Sequence, residues 1–537
     1  MKSHKAVVVT PQPEASEAGV EILRAGGNAI DAAIACAFVQ GVVDPLMCGI
    51  AGFGSLGFYE QQSKSTSYID FHSPAPQAVK PDMWEKLILS EARDGFGFIL
   101  EGAVNEMGYQ SMGVPGSLKA YQEAHQKHGK LPWHVLLEPA IEWAKNGWKV
   151  RQHVEEFWSD EGQMGRRSVR DRIAYSPSGK AMYCREDGSP KRVGDLVINS
   201  DYANTLTEIA IKGADTFYFG EIAEQIVGDM KRNGGLISMQ DLNSFNVKYR
   251  APLRGRYKEF DIATNNPPGG GLLLLQMLKM LEHVNLLSLG HNTAEYMRVV
   301  SEVMRRATVN KDRFIGDPAF VDIPIEKLLS ESYIQQMVEE IKAGVRQTVP
   351  RFNSGHPSKD TTHISIADKE GNCVSMTHSL GMPSGVITDG LGFMYNGCMA
   401  VFDPRPGHAG SLAPGKSRFT SLCPSFLFKN NEPYLVIGAP GATQIAMGVL
   451  QVILNHIEFD MNMTESVSAP RFSGTSDALD VSNRIPRYET RELEKQGYEV
   501  IRNPFTYGFA SVHAISFANG KTDGAADPGH DGTALYC

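Results

Sequence analysis

The chain has 537 residues, of which 42% are apolar and 53 are glycine, and its formal net charge is −9 at pH 7. That length and apolar content suit a large folded α/β body with many tight turns and are unlike a disordered or fibrous chain. The acidic balance, with no basic run, argues against a nucleic-acid binder, and no stretch approaches the roughly 18 uncharged apolar residues of a membrane-spanning helix.

In chain order, the opening stretch from Met1 to Glu14 has an apolar run only from Ala6 to Val9. That is too short for the apolar segment of a secretory signal, so a cytoplasmic protein is expected. A strand over 6–10 leads into helical patterns over 17–25 and 31–43, a strand over 54–59, and further helices over 272–287 and 294–309. No linker, repeat or composition shift divides the chain. Residues 340–360 are polar and contain Pro350, Gly355 and Pro357, the chemistry of a loop. After them come a hairpin, a strand near 393–395, a second hairpin from 425–429 and 434–437 around Asn430-Asn431-Glu432, and directly a helix over 443–456.

The first of those hairpins, within Asp360 to Leu380, carries the chemistry. Ile364 and Ile366 alternate with His363 and Ser365, and Val374 and Met376 alternate with Ser375 and Thr377, the period-2 pattern of half-buried strands. Asp368 to Asn372 supplies the polar and glycine residues of a short turn. With the turn centred on Glu370, Thr361 falls opposite Ser379 and His363 opposite Thr377. Opposed residues on one face have Cβ atoms about 4.5–5.5 Å apart, which brings the two hydroxyls into contact. A threonine hydroxyl needs a base, and an N-terminal threonine supplies one in its α-amine, whose reference pKa is about 7.7–8.0. Within an intact chain that nitrogen is an amide. This chemistry would require a cut between Asp360 and Thr361 and make the chain as written an inactive precursor, whereas Thr-Thr-His at a strand start is also ordinary strand sequence.

Two further features bear on function. Gly438 to Ala442 joins a strand to a helix, where unpaired N–H groups at the positive end of the dipole suit an oxyanion hole, or where the segment is simply a turn. The seven cysteines are odd in number with no C-x-x-C pair, and no H-E-x-x-H occurs among the fifteen histidines. Buried free thiols are expected, with no disulfide framework, metal or cofactor. The glycine clusters at 26–27 and 269–271 lack the strand–GxGxxG–helix context of dinucleotide binding.

The run T-T-H-x-S-x-x-D-x-x-G-N-x-V at Thr361 to Val374 resembles the autoprocessing segment of the γ-glutamyltransferase family of N-terminal nucleophile (Ntn) hydrolases. Ala15 to Ala35, G-V-P-G at Gly113 to Gly116, Lys127 to Trp133, Asn266 to Gly271, Asp312 to Pro318, Gly438 to Gly441 and Ala469 to Phe472 are similar to further family marks in the same order. The resemblance implies an α/β fold, a four-layer αββα sandwich of the Ntn-hydrolase type. A large fragment, 1–360, and a small catalytic fragment, 361–537, would build it jointly. It implies Thr361 as nucleophile, Ser379 beside it, the N–H groups of Gly441 and Ala442 as oxyanion donors, and Thr420-Ser421 as contacts to a substrate carboxylate. Alanine stands at 442 where the family has a second glycine.

The family's clamps for a γ-glutamyl head group are missing in this alignment. Pro81 takes the arginine position, Gly381 an asparagine, Cys398 a glutamine and Val401 an aspartate, with Asp403 a conceivable substitute for the last. Arg418, and Lys80 or His72, are the cations available for a simple carboxylate. The chain thus looks more like the branch of oxamate amidohydrolase and the glutaryl-type acylases. The expected reaction is hydrolysis of a small carboxylate-bearing amide through an acyl-threonine ester, with Thr361, Ser379, Gly441 and Ala442 catalytic and Thr420, Ser421 and Arg418 binding substrate. A γ-glutamyltransferase or glutathione hydrolase with a rearranged head-group site is the alternative, and a non-processing binding or scaffold relative is the alternative of another class. The expected partners are the small-molecule substrate and the chain's own two fragments as a heterodimer, whose further dimerisation is left open, with no nucleic acid or membrane.

Overall fold

Alternating β-branched and aromatic residues form the strands of two central sheets. In chain order these are β1 (Val7–Thr10), β2 (Phe53–Glu60), β3 (Ser65–Phe71), β4 (Lys248–Arg250), β5 (Leu253–Tyr257), β6 (Phe260–Thr264), β7 (Thr362–Ala367), β8 (Cys373–Ser379), β9 (Ser425–Lys429), β10 (Glu432–Gly438), β11 (His513–Ser516), β12 (Asp523–Ala526) and β13 (Thr533–Tyr536). The computed structural model describes residues 5–92, 97–162, 166–349, 361–505 and 508–537. One sheet is ordered β13-β1-β7-β8-β2-β3-β4 and the other β12-β11-β10-β9-β6-β5, and every pairing within them is antiparallel.

Side-chain alternation sorts the core into three layers. Val7, Val9, Tyr59, Phe426, Val436 and Ile515 fill the space between the sheets. Ile364, Ile366, Val374 and Met376 point the other way and pack with α1 (Pro13–Arg24) and α2 (Ala29–Val43). Leu427, Leu435 and Ile437 pack with α3 (Gly271–Leu281), α4 (Ala294–Phe314) and α5 (Ile445–Glu458). Helices, sheet, sheet, helices is the expected αββα sandwich. Residues 1–349 and 361–537 both contribute strands to each sheet. The expected boundary at 360 lies outside the described residues.

Helix α2 is buried along its whole length, and the Asn28 side chain caps it by accepting from the Ile30 and Asp31 N–H groups. Several expected bounds shift. The first helix starts earlier, with Pro13 in its first turn, where proline's missing N–H costs nothing. The helix expected over 272–287 stops at Leu281 and a separate turn follows at Leu286–Leu289, while the next runs on to Phe314. The strand near 393–395 is Met394–Gly397, paired in a ribbon with Met382–Ile387. All seven cysteines are free thiols, and all but Cys537 are buried. Among the described residues no helix is long and apolar enough to cross a membrane.

Candidate active site

The β7–β8 hairpin has the register its sequence predicts: Thr362 pairs with His378 and His363 with Thr377. One step further out, Thr361 Oγ1 lies 3.1 Å from Ser379 Oγ. Both residues are buried, at 5% and 1% exposure. Ser379 Oγ also accepts the Gly381 N–H at 2.7 Å, which fixes its rotamer. Residues 361, 363 and 365 share the face turned to the second sheet, and Thr362 points to α2, where Gln40 Nε2 donates to its Oγ1 at 3.0 Å.

The neighbouring histidines are structural. Burial pushes His378 down to about 3, and its ring is held between the Tyr121 hydroxyl at 2.7 Å and Gln40 Oε1 at 2.8 Å. Burial also holds His363 well below the ordinary imidazole range. Its two nitrogens meet Thr377 Oγ1 at 2.8 Å and Ser365 Oγ at 3.0 Å. Both rings are neutral at pH 7 and tie strands together, and their ring nitrogens bond to groups other than Thr361.

The second sheet brings up the 438–442 segment. A Cβ at Gly438 would collide with the His363 ring, so this segment leaves β10 at the level of His363, two residues from Thr361. Gly441 has φ +138° and approaches Ala510 so closely that a Cβ there would lie 2.5 Å from the alanine Cβ. Ala442 has φ +49°, the left-handed region that costs a non-glycine residue about 1–2 kcal/mol. The helix expected over 443–456 is α5, Ile445–Glu458, preceded by a 3-10 turn, Ala442–Gln444. The Gln444 N–H bonds to Gly441 O at 2.9 Å, so the N–H groups of Gly441 and Ala442 precede the first intrahelical bond and have no acceptor within it.

The segment 418–421 borders the same region. Arg418 is buried with its guanidinium 4.8 Å above the Phe53 ring, and Phe53 pairs with Ser379 across β2 and β8. Gly381, at φ +64°, leaves room for this arginine: a Cβ there would sit 2.9 Å from Arg418 Nη2. Burial pushes the Cys398 thiol up to about 11 while Arg418 and the Ser73 hydroxyl act against that shift, so Arg418 also borders Cys398. Ser421 is buried beside the backbone of Gly270. Thr420 Oγ1 lies 2.7 Å from His72 Nε2.

Two expectations about substrate contacts change. Pro81 and Lys80 are exposed, whereas His72, on the same stretch, reaches Thr420. Asp403 binds Arg405 through both carboxylate oxygens, at 2.9 and 2.7 Å, so it is not available to replace the charge lost at Val401. Beside Val401 and Phe419 is a cavity of about 320 Å³, rimmed by Lys311, Asp312, Arg405 and His408. Sequence reasoning left out Phe53 and Asp70. Phe53 on β2 meets Arg418 from a distant segment, a contact that no local pattern encodes, whereas Asp70 bonds to His72 two residues on.

Comparison with known proteins bears on the family and the fold. The family model for gamma-glutamyltranspeptidase matches residues 15–537. An acylase ACY 1 proenzyme of Pseudomonas sp. (strain V22) is 35% identical over 99% of this chain and 93% of its own. A glutathione hydrolase proenzyme of Bacillus subtilis (strain 168) is 32% identical over 98% and 91%. Among solved structures, cephalosporin acylase from Bacillus halodurans superposes with a TM-score of 0.86 at 25% identity, covering 100% of this chain and 96% of that one. Gamma-glutamyltranspeptidase from Helicobacter pylori gives 0.55 at 33% identity over 62% and 90%.

Proposed function

The chain belongs to the gamma-glutamyltranspeptidase family and is an amide hydrolase of the Ntn type, and within that frame we propose that Thr361 is its nucleophile and a small carboxylate-bearing amide its substrate. The carrying observation is the 3.1 Å contact between the Thr361 and Ser379 hydroxyls at the head of β7.

Maturation comes first. The Thr361 hydroxyl attacks the carbonyl carbon of Asp360, and its oxygen replaces the peptide nitrogen on that carbon. Water then cleaves the ester, leaving a carboxylate on Asp360 and an α-amine on Thr361. Residues 1–360 and 361–537 stay together as a heterodimer because both supply strands to the two sheets.

In turnover the α-amine takes the Thr361 hydroxyl proton as the oxygen attacks the substrate amide, and returns it to the departing amine. Ser379 holds the Thr361 head. The N–H groups of Gly441 and Ala442 face the tetrahedral oxyanion, a contribution of about 3–4 kcal/mol per donor in such sites. Water resolves the acyl ester and releases the acid. An amine in its place would give transfer.

A carboxylate on the acyl part is favoured because Arg418 lies beside Gly381 and Cys398, with Thr420 and Ser421 next in sequence. An α-ammonium is disfavoured, since Val401 has no charge and Asp403 is bound to Arg405. The test is release of p-nitroaniline from glutaryl- and γ-glutamyl-p-nitroanilide, with hydrolysis of oxamate run alongside and mass analysis of the quenched enzyme. The expected result is preference for glutaryl over γ-glutamyl and an acyl adduct on the peptide that begins at Thr361. Full turnover by Thr361→Ala would refute the nucleophile, and preference for the γ-glutamyl anilide would refute the substrate class.

A further inference from the structure

The two sheets part at one corner of the sandwich, far from the catalytic pair. Tyr59 pairs with Cys373 at the turn end of the β7–β8 hairpin, whereas Phe53, six residues earlier on β2, pairs with Ser379. At about 3.4 Å per residue, about 20 Å of strand separates this corner from the proposed nucleophile. Between the sheets here is a slot of about 290 Å³, walled by inward positions of both. Thr66 lies opposite Tyr59 across β2 and β3. On the other sheet Arg254 lies opposite Ala263, and Asp261 opposite Phe428. Tyr59, Ala263 and Phe428 belong to the layer packed between the sheets, and directly opposed residues share a face, so Thr66, Arg254 and Asp261 face inward too.

Two of these groups lack the partners that their chemistry calls for. Tyr59 is 1% exposed, and its hydroxyl is buried without a hydrogen-bond partner among the described residues, whereas buried hydroxyls are normally bonded. Burial and the Glu432 carboxylate both raise this phenol, so it keeps its proton at neutral pH and is a donor. Arg254, on the edge strand β5, is exposed at the mouth of the slot and has no ion pair among the described residues. Its charge is felt inside: burial and Cys423 raise the Tyr68 hydroxyl, and Arg254 acts against them. Lys64, the other cation lining the slot, is already held in an ion pair with Glu432. The Tyr59 and Phe428 rings, with centroids 5.3 Å apart, supply an apolar floor.

We propose that this slot is a binding site for a small aromatic monocarboxylate, whose carboxylate bridges the Arg254 guanidinium and the Tyr59 hydroxyl and whose ring lies on Phe428. Arginine takes a carboxylate through two parallel charge-assisted bonds, and the phenol adds a third donor from the opposite sheet. Asp261 opposes a second negative charge, so a monoanion fits and a dicarboxylate does not. The ligand joins β2 to β5 across the sandwich, and a ligand that binds only the folded state raises its melting temperature.

The experiment is calorimetric titration of benzoate into the full-length protein, beside thermal unfolding with and without benzoate. The expected result is a wild type that binds benzoate and melts higher in its presence. Tyr59→Phe removes only the unpartnered hydroxyl, so without benzoate it should melt no lower than wild type, while its affinity for benzoate falls about tenfold. Arg254→Gln, a change at an exposed position, should weaken benzoate at least as much, and neutral benzamide should bind wild type at least about tenfold more weakly than benzoate. No binding of benzoate to wild type, an affinity unchanged in either variant, or benzamide bound as tightly as benzoate would overturn the proposal. Benzoate that inhibits amide hydrolysis competitively and binds both variants as tightly as wild type occupies the catalytic site instead, and would overturn it too.

Discussion

Replacing Gly381 by alanine tests the packing of Arg418 above the Phe53 ring. The residue has φ +64°, so any L side chain there adds about 1–2 kcal/mol of backbone strain. The added Cβ would lie 2.9 Å from Arg418 Nη2 and 3.3 Å from Phe53 Cε1, both inside ordinary contact. The guanidinium, the mobile end of its side chain, moves first and leaves its place above Phe53. A charge-assisted hydrogen bond to a substrate carboxylate is worth about 1.5–3 kcal/mol, or about ten- to a hundredfold in KM. The assay is steady-state kinetics with glutaryl-p-nitroanilide and its uncharged methyl ester, alongside thermal unfolding. The expected result is a raised KM for the acid only, with a lower melting temperature. Equal changes in KM for acid and ester, or none for either, would refute the assignment of Arg418 to the carboxylate.

Other substitutions probe separate parts of the site. Ser379→Ala leaves the Gly381 N–H without its 2.7 Å acceptor, a loss of about 1–3 kcal/mol. It should slow formation of the 361–537 fragment about ten- to a hundredfold in a gel time course. Gly441→Val places a branched side chain where a Cβ already lies 2.5 Å from Ala510, and turnover should fall even if maturation completes. Asp480 is buried, and burial pushes its carboxyl up to about 8. The native state therefore keeps a proton that the unfolded chain releases near pH 4, so stability is full at low pH and declines as pH rises through about 4 to 8. Asp480→Asn should remove that decline and melt higher than wild type at pH 8 and little differently at pH 4.

Legibility followed the range of the interaction. The β7–β8 register was readable because period-2 alternation and a five-residue polar turn are both local, and the Thr361–Ser379 contact follows from counting residues along the strands. The 3-10 turn at Ala442 was hidden, because a positive φ at an alanine leaves no mark in composition. The stop of α3 at Leu281 was missed because Glu282 and His283 are acceptable helix residues. Phe53 under Arg418 and His72 against Thr420 join distant segments of the chain, and only the folded sheets bring them together. The fold class came from the family resemblance more than from periodicity, and the sheet order confirms it.

The most direct measurement is intact mass and N-terminal sequencing of the purified protein after incubation at neutral pH, beside Thr361→Ala. Two fragments, with the smaller beginning Thr361-Thr362-His363 in the wild type and a single uncut chain in the variant, are the predicted result. An uncut wild-type chain that still hydrolyses amides, or cleavage at the same bond in Thr361→Ala, would contradict the account.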